Sequence, residues 1–162
     1  MYRVSFTGYR PVKLPFFGED DPLCQELKQR IEKQIQELAV AGAKEFFTGM
    51  AQGVDTWCAE AVLDLKKQYD DISLTAIIPC REQPDKWTAA QQQRYRQILD
   101  QCKKTICVSE TYTKDCMHRR NRALVDICDI LIAVYDGQSG GTYYTIEYAK
   151  KRHKKTIIIP PL

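Results

Sequence analysis

Apolar and polar positions along the chain alternate between two periods. Tyr2 to Phe6 is a short strand pattern that ends at Thr7-Gly8. Leu23, Leu27, Ile31, Ile35 and Leu38 then recur at helical spacing, and Gly42 closes the helix as a C-cap. Glu45 to Thr48 reads as a second strand ending at Gly49, followed by a helix whose stripe is Val54, Trp57, Cys58, Ala61, Val62 and Leu65. Ile72 to Ile78 is a third strand, stopped by Pro79. A helix from about Trp87 carries Tyr95, Ile98, Leu99 and Cys102 inward, and Thr105 to Val108 is a fourth strand. The next helix places Met117, Asn121, Leu124, Val125 and Cys128 on one face. Ile130 to Tyr135, Thr142 to about Arg152 and Thr156 to Ile159 complete the chain as strand, helix and strand.

Strict alternation of short β-branched strands with amphipathic helices predicts a parallel sheet covered on both faces. The expected fold class is α/β: a single Rossmann-like doubly wound domain over residues 1–162. In such a sheet the C-terminal ends of the strands and the starts of the following helices share one edge, where ligands bind. Four turns are predicted there: TGYRP (7–11), TGMAQGVD (48–55), PCREQPDKW (79–87) and DGQSGGT (136–142).

Composition narrows the picture without naming a ligand. Charged residues make up 28% and apolar residues 44% of the 162, as in ordinary globular proteins. No apolar run approaches the roughly 20 residues of a membrane span, and MYRVSFTGYR lacks the pattern of a signal peptide, so a cytoplasmic protein without membrane association is expected. The seven cysteines lack CxxC spacing and only two histidines are present, which favours reduced structural thiols over zinc or disulfides. The net charge of +3 is small, and KKRHKK (150–155) supplies much of it at a helix end, so nucleic acid is not the expected partner.

The chemistry lies in the glycine-rich turns. Two of them enter helices and present backbone N–H groups to an anion, with Arg10 beside the first, which points to a phosphate-bearing small molecule. Arg120 and Asn121, in the first turns of their helix, reach the same edge, whereas Arg119 and Arg122 read as solvated. Asn121 serves equally well bonded to a loop carbonyl. Tyr9 and Trp87, with Gln83 nearby, stack on a base or simply lid the core. Met50 and Asp136 complete the loops, and Asp136 suits a ribose hydroxyl or a cap.

Taken in order, TGYR, GMAQGVD, PCREQ…W, RRN and DGQSGGTYYTI resemble the YpsA-like family of the SLOG superfamily, over nearly the whole chain. That superfamily of Rossmann-like domains also holds the DNA-processing protein DprA and the LOG-type nucleotide phosphoribohydrolases. The resemblance implies binding of a nucleotide or nucleotide-derived ligand through Thr7, Gly8, Arg10, Gly49, Gly53, Asp55, Arg120, Asn121, Gly140, Gly141 and Thr142. It also implies a link to bacterial cell division or stress response. No other cofactor and no metal are implied.

One departure matters. LOG-type hydrolases carry a glutamate three residues after the threonine of GGxGTxxE, and here that position is Thr145. Glu147 lies two residues further on, about 200° around the helix. The expectation is therefore a binding or sensing module with no catalytic residue, Asp136 and Glu147 being weak candidates. The alternatives are a LOG-like enzyme cleaving the N-glycosidic bond of nucleoside monophosphates, or a DprA-like nucleic-acid-binding accessory protein. A protein partner and a homo-oligomer are both compatible with the sequence.

Overall fold

A computed structural model describes residues 2–162. Its elements in chain order are β1 (Tyr2–Gly8), α1 (Pro22–Val40), β2 (Ala43–Thr48), α2 (Val54–Lys66), β3 (Ser73–Cys80), α3 (Ala89–Gln101), β4 (Lys104–Ser109), α4 (Cys116–Ile127), β5 (Ile130–Val134), α5 (Gly141–Lys151) and β6 (Lys155–Ile159). The six strands form one sheet in the order β4-β3-β2-β1-β5-β6, every neighbouring pair parallel.

The chain steps outward from β1 to β4, then returns across β1 to add β5 and β6. Parallel crossovers are right-handed, so reversing the direction of travel moves the helices to the other face. Accordingly α1, α2 and α3 pack side by side, and α4 packs against α5. Adjacent residues of one strand show the two faces: Phe46 joins the core under α1–α3, while Phe47 packs with Ile77 and Leu124 of α4. Phe6 and Phe46 stack at 6.1 Å between ring centroids, fully buried. Each such side chain contributes about 1.5–3 kcal/mol by leaving water.

Helix starts differ in a way that bears on function. Asp21 caps α1, accepting from the Leu23 N–H at 2.9 Å, and Pro22 occupies the first turn. Thr88 and Gln91 form a reciprocal capping box on α3. By contrast α5 begins from Gly140 with no side-chain cap. Its first N–H groups, which in any α-helix have no intrahelical acceptor, therefore lack a capping side chain as well.

The structure corrects several expectations. Helix α3 starts at Ala89, after Trp87, because the Thr88 cap fixes its first turn. In α1, Leu23 is exposed and Cys24 is buried in its stead. The buried face of α4 is Cys116, Arg120, Leu124 and Val125; Asn121 sits at its margin, because an arginine has taken the inward position that hydropathy assigns to apolar residues. Between β1 and α1 the chain makes a long excursion, Tyr9 to Asp21, containing a short 3-10 turn at Pro11–Lys13. Periodicity gave no sign of that turn.

A cationic cleft at the sheet's switch point

The strands reverse their order of addition between β1 and β5, and a cleft of about 220 Å³ opens at the C-terminal ends of these strands. Thr7, Gly8, Tyr9 and Arg10 reach it from β1 and its loop. Ala51 and Asp55 come from the second loop and α2, Arg120 and Asn121 from α4, and Gly141 and Thr142 from the start of α5. Lys13, Val12, Leu124 and Phe6, none of them anticipated from the sequence, complete the wall. Lys13 had one available signal: it is a second base in the same glycine-started loop as Arg10.

Three cations, Arg10, Lys13 and Arg120, face one carboxylate, Asp55, an excess of two positive charges. Arg120 is only 5% exposed. Its Nη1 donates to the Gly49 carbonyl at 2.5 Å and its Nε to Asn121 Oδ1 at 2.9 Å. Burial lowers its pKa from the ordinary value, Asp55 opposes that shift, and the nearby charge of Arg10 adds to it. Asp55, 7% exposed, accepts the Ala51 N–H on Oδ2 at 3.2 Å. Burial pushes its pKa up, while Arg120, the Ala51 N–H and Arg10 pull it down. Arg10 is exposed at the mouth. Lys13 spans the cleft rim, donating from Nζ to the Ser139 carbonyl at 2.8 Å.

The glycines divide by what surrounds them. A Cβ on Gly8 would lie 2.5 Å from Val54 Cγ1, so this glycine admits α2 to the sheet. A Cβ on Gly49 would lie 2.8 Å from Arg120 Nη1 and 2.9 Å from Asp55 Oδ2, so that space is bounded by two of the protein's own charged side chains. Gly53 and Gly140 have positive φ and abut Tyr9 and Lys13 respectively. Gly141 is different: a Cβ there meets nothing nearer than Asn121 Nδ2 at 3.9 Å. With Oδ1 of Asn121 taken by Arg120, its Nδ2 faces the bare start of α5.

Other expected site residues lie elsewhere. Met50 is fully buried with a φ of 60°, a core side chain holding a tight turn. Gly49, Gly53 and Gly140 shape the loops without walling the cleft. Tyr9 does line the cleft but is only 2% exposed, and its hydroxyl donates to Asp136 at 2.7 Å while accepting from the Asp136 and Gln138 N–H groups. That bond holds the exposed Asp136 carboxyl below its ordinary pKa and ties it to the loop, outside the cleft wall. Glu147 bonds Lys150 at 3.2 Å and does not line the cleft. Thr145, where LOG-type enzymes have their acid, is buried, its hydroxyl donating to the Gly141 carbonyl. Trp87 packs edge-on against Tyr95 and, with Gln83, Met117 and Gln52, walls a neighbouring groove of about 370 Å³. This groove shares Arg10, Val12 and Ala51 with the cleft.

Comparison with known proteins decides the family. A family model, YpsA, described as the YspA SLOG family, matches residues 4–159. The chain belongs to this family. Its relatives include a UPF0398 protein of Bacillus anthracis (strain A0248), 26% identical over 92% of this chain and 83% of the relative. Another, from Bacillus pumilus (strain SAFR-032), is 28% identical over 86% of this chain and 76% of the relative. Among solved structures, DNA processing protein A from Helicobacter pylori, described with a single-stranded DNA binding mode, superposes with a TM-score of 0.70 at 21% identity. DNA processing protein A (DprA) from Streptococcus pneumoniae gives 0.68 at 19%. Both comparisons cover 98% of this chain but only 65% and 50% of those proteins, so they share its fold and extend beyond it. Among the described residues, no helix is long and apolar enough to cross a membrane.

Proposed function

We propose that the cleft holds a phosphate-bearing small molecule of nucleotide type, and that the protein is a cytoplasmic binding or sensing module for it, linked to bacterial cell division or stress response. The observation that carries this reading is the imbalance at one end of the cleft. Bare α5 amides, the unused Asn121 Nδ2 and an excess of two positive charges converge there with no anion of the protein to meet them. A phosphate monoester carries about −1.5 to −2 charges at neutral pH, which matches that excess. The adjoining groove with Trp87 and Met117 suits the flat ring of a base. Binding is favoured over hydrolysis because Asp136 and Glu147, the acids nearest the glycine turn, are engaged outside the cleft.

Calorimetric titration with adenosine, guanosine, cytidine and uridine 5′-monophosphates tests the reading, with chromatography of the incubated mixtures. At least one should bind, Arg10→Ala should weaken it about tenfold or more, and no free base should accumulate. Steady base release abolished by Asp136→Asn or Glu147→Gln would make the protein a hydrolase instead. The fold shared with DNA processing protein A supports a second reading, single-stranded DNA. It predicts tight oligonucleotide binding with a steep salt slope, lost on neutralising Lys150, Lys151, Lys154 and Lys155.

A further inference from the structure

Asp55 is hard to account for as a purely internal group. It is only 7% exposed, yet just one of its carboxylate oxygens has a hydrogen-bond donor, the Ala51 N–H on Oδ2. Among the described residues it forms no ion pair: Arg120 and Asp55 flank the empty Cβ position of Gly49 from two sides, and Arg120 spends its donors on the Gly49 carbonyl, Asn121 and Gln83. The other oxygen, Oδ1, has no donor from the described residues and is not sealed off, so it is left for water or a ligand to complete. The residue lines the cleft, so whatever occupies the cleft is available to do so.

The surroundings select the chemistry of that occupant's donor. A phosphate oxygen is repelled by a carboxylate and is drawn instead to the α5 amides, Lys13 and Arg10. An ammonium is disfavoured because Arg10 and Arg120 already flank Asp55. A neutral hydroxyl is the remaining strong donor, and it gains a charge-assisted bond without adding charge. The ligand must therefore carry hydroxyls within reach of its phosphate, as a pentose phosphate does, while the groove beyond Val12 and Ala51 takes the ring attached to the sugar.

We infer that Asp55 reads the sugar hydroxyls of the ligand, and that it makes the cleft selective for ribonucleotides over nucleotides lacking those hydroxyls. This rests on the nucleotide reading above. Asp55 is a specificity-determining residue of the cleft, and Arg120, bonded to the Gly49 carbonyl between them, holds the loop that positions it.

The test is calorimetric titration of the full chain with adenosine 5′-monophosphate and its 2′,3′-dideoxy analogue, for the unaltered protein and for Asp55→Asn. Asparagine keeps the size and still accepts the Ala51 N–H. The unaltered protein should bind the dideoxy compound at least about tenfold more weakly, and Asp55→Asn should shrink the ratio to less than about threefold by losing affinity for the ribonucleotide alone. The first comparison needs no variant, so poor folding of Asp55→Asn does not spoil it. Equal binding of the two nucleotides by the unaltered protein overturns the assignment while leaving the nucleotide reading intact. A ratio unchanged in folded Asp55→Asn transfers the selectivity to another residue and overturns it too. If neither nucleotide binds while another monophosphate does, the same pair of sugars is compared on that base. If no monophosphate binds, the nucleotide reading falls and the role of Asp55 with it.

Discussion

Three glycines that look alike in sequence should answer differently to one added methyl group. Gly8 and Gly49 are packed against Val54 and against the Arg120 and Asp55 side chains, so Gly8→Ala and Gly49→Ala should lower stability by about 1–3 kcal/mol through overpacking. Gly141 has an ordinary helical setting with open space before it. Gly141→Ala should melt at or slightly above the temperature of the unaltered protein, yet weaken a bound phosphate about tenfold or more by obstructing its approach. Melting curves paired with nucleotide titration of all three variants decide this. Normal binding by Gly141→Ala would leave DGQSGGT as a turn only. The sequence showed where the glycines lie, because tight βα turns demand them, but what fills the space beside each one is a tertiary fact. The same limit applies to Arg120. Hydropathy patterning treats arginine as outward-facing, so it pointed to Asn121 as the polar residue on the buried face.

At the scale of elements, strands and helices were legible almost throughout, because alternation of periods 2 and 3.6 is a local property. The excursion from Tyr9 to Asp21 was not, since it is held by contacts distant in sequence. Glu19 on this segment receives both terminal nitrogens of Arg94 on α3, at 2.6 and 2.9 Å, and Lys28 of α1 at 2.6 Å. Arg94 in turn grips Glu60 of α2 through Nε and Nη2. Arg94 first, and then Lys28, hold the Glu19 carboxyl down at about 2, well below the ordinary 4.5. A carboxyl whose folded pKa is depressed contributes stability above its unfolded pKa, and loses it as pH falls through the folded value. The Glu19 contribution should therefore be complete above about pH 5 and disappear between about 4.5 and 2. Its side chain is 39% exposed, so solvent screening limits it to on the order of 1 kcal/mol. Denaturant titrations of Glu19→Gln and the unaltered protein should differ at pH 7 and converge near pH 2. A gap that persists at the lowest pH would mean that the loop is held by contacts other than this carboxylate.

Across the whole molecule the cleft joins parts that the sheet keeps on opposite faces. Its walls come from the β1 loop and α2 on the side of the three-helix layer, and from α4 and α5 on the other. A ligand seated there bonds both layers, and because it binds only the assembled fold it stabilises that fold by mass action. At a free concentration of one hundred times Kd the gain is about 2.7 kcal/mol. For a chain of this size that corresponds to a rise in Tm of about 5–10 °C. The protected region should follow the cleft: amide exchange should slow in Thr7–Lys13, in 49–55 and in the first turn of α5. β6 and the far end of α5, where the Lys150 and Lys151 side chains are exposed, should be unaffected by local contact. Nucleic acid held on that basic end would give the opposite map, with slowing around 150–155 and an unchanged cleft. Exchange measured with a saturating nucleotide, and separately with a single-stranded oligonucleotide, therefore places each ligand on the molecule. Slowing confined to one helical layer would rule out a ligand that bridges the switch point.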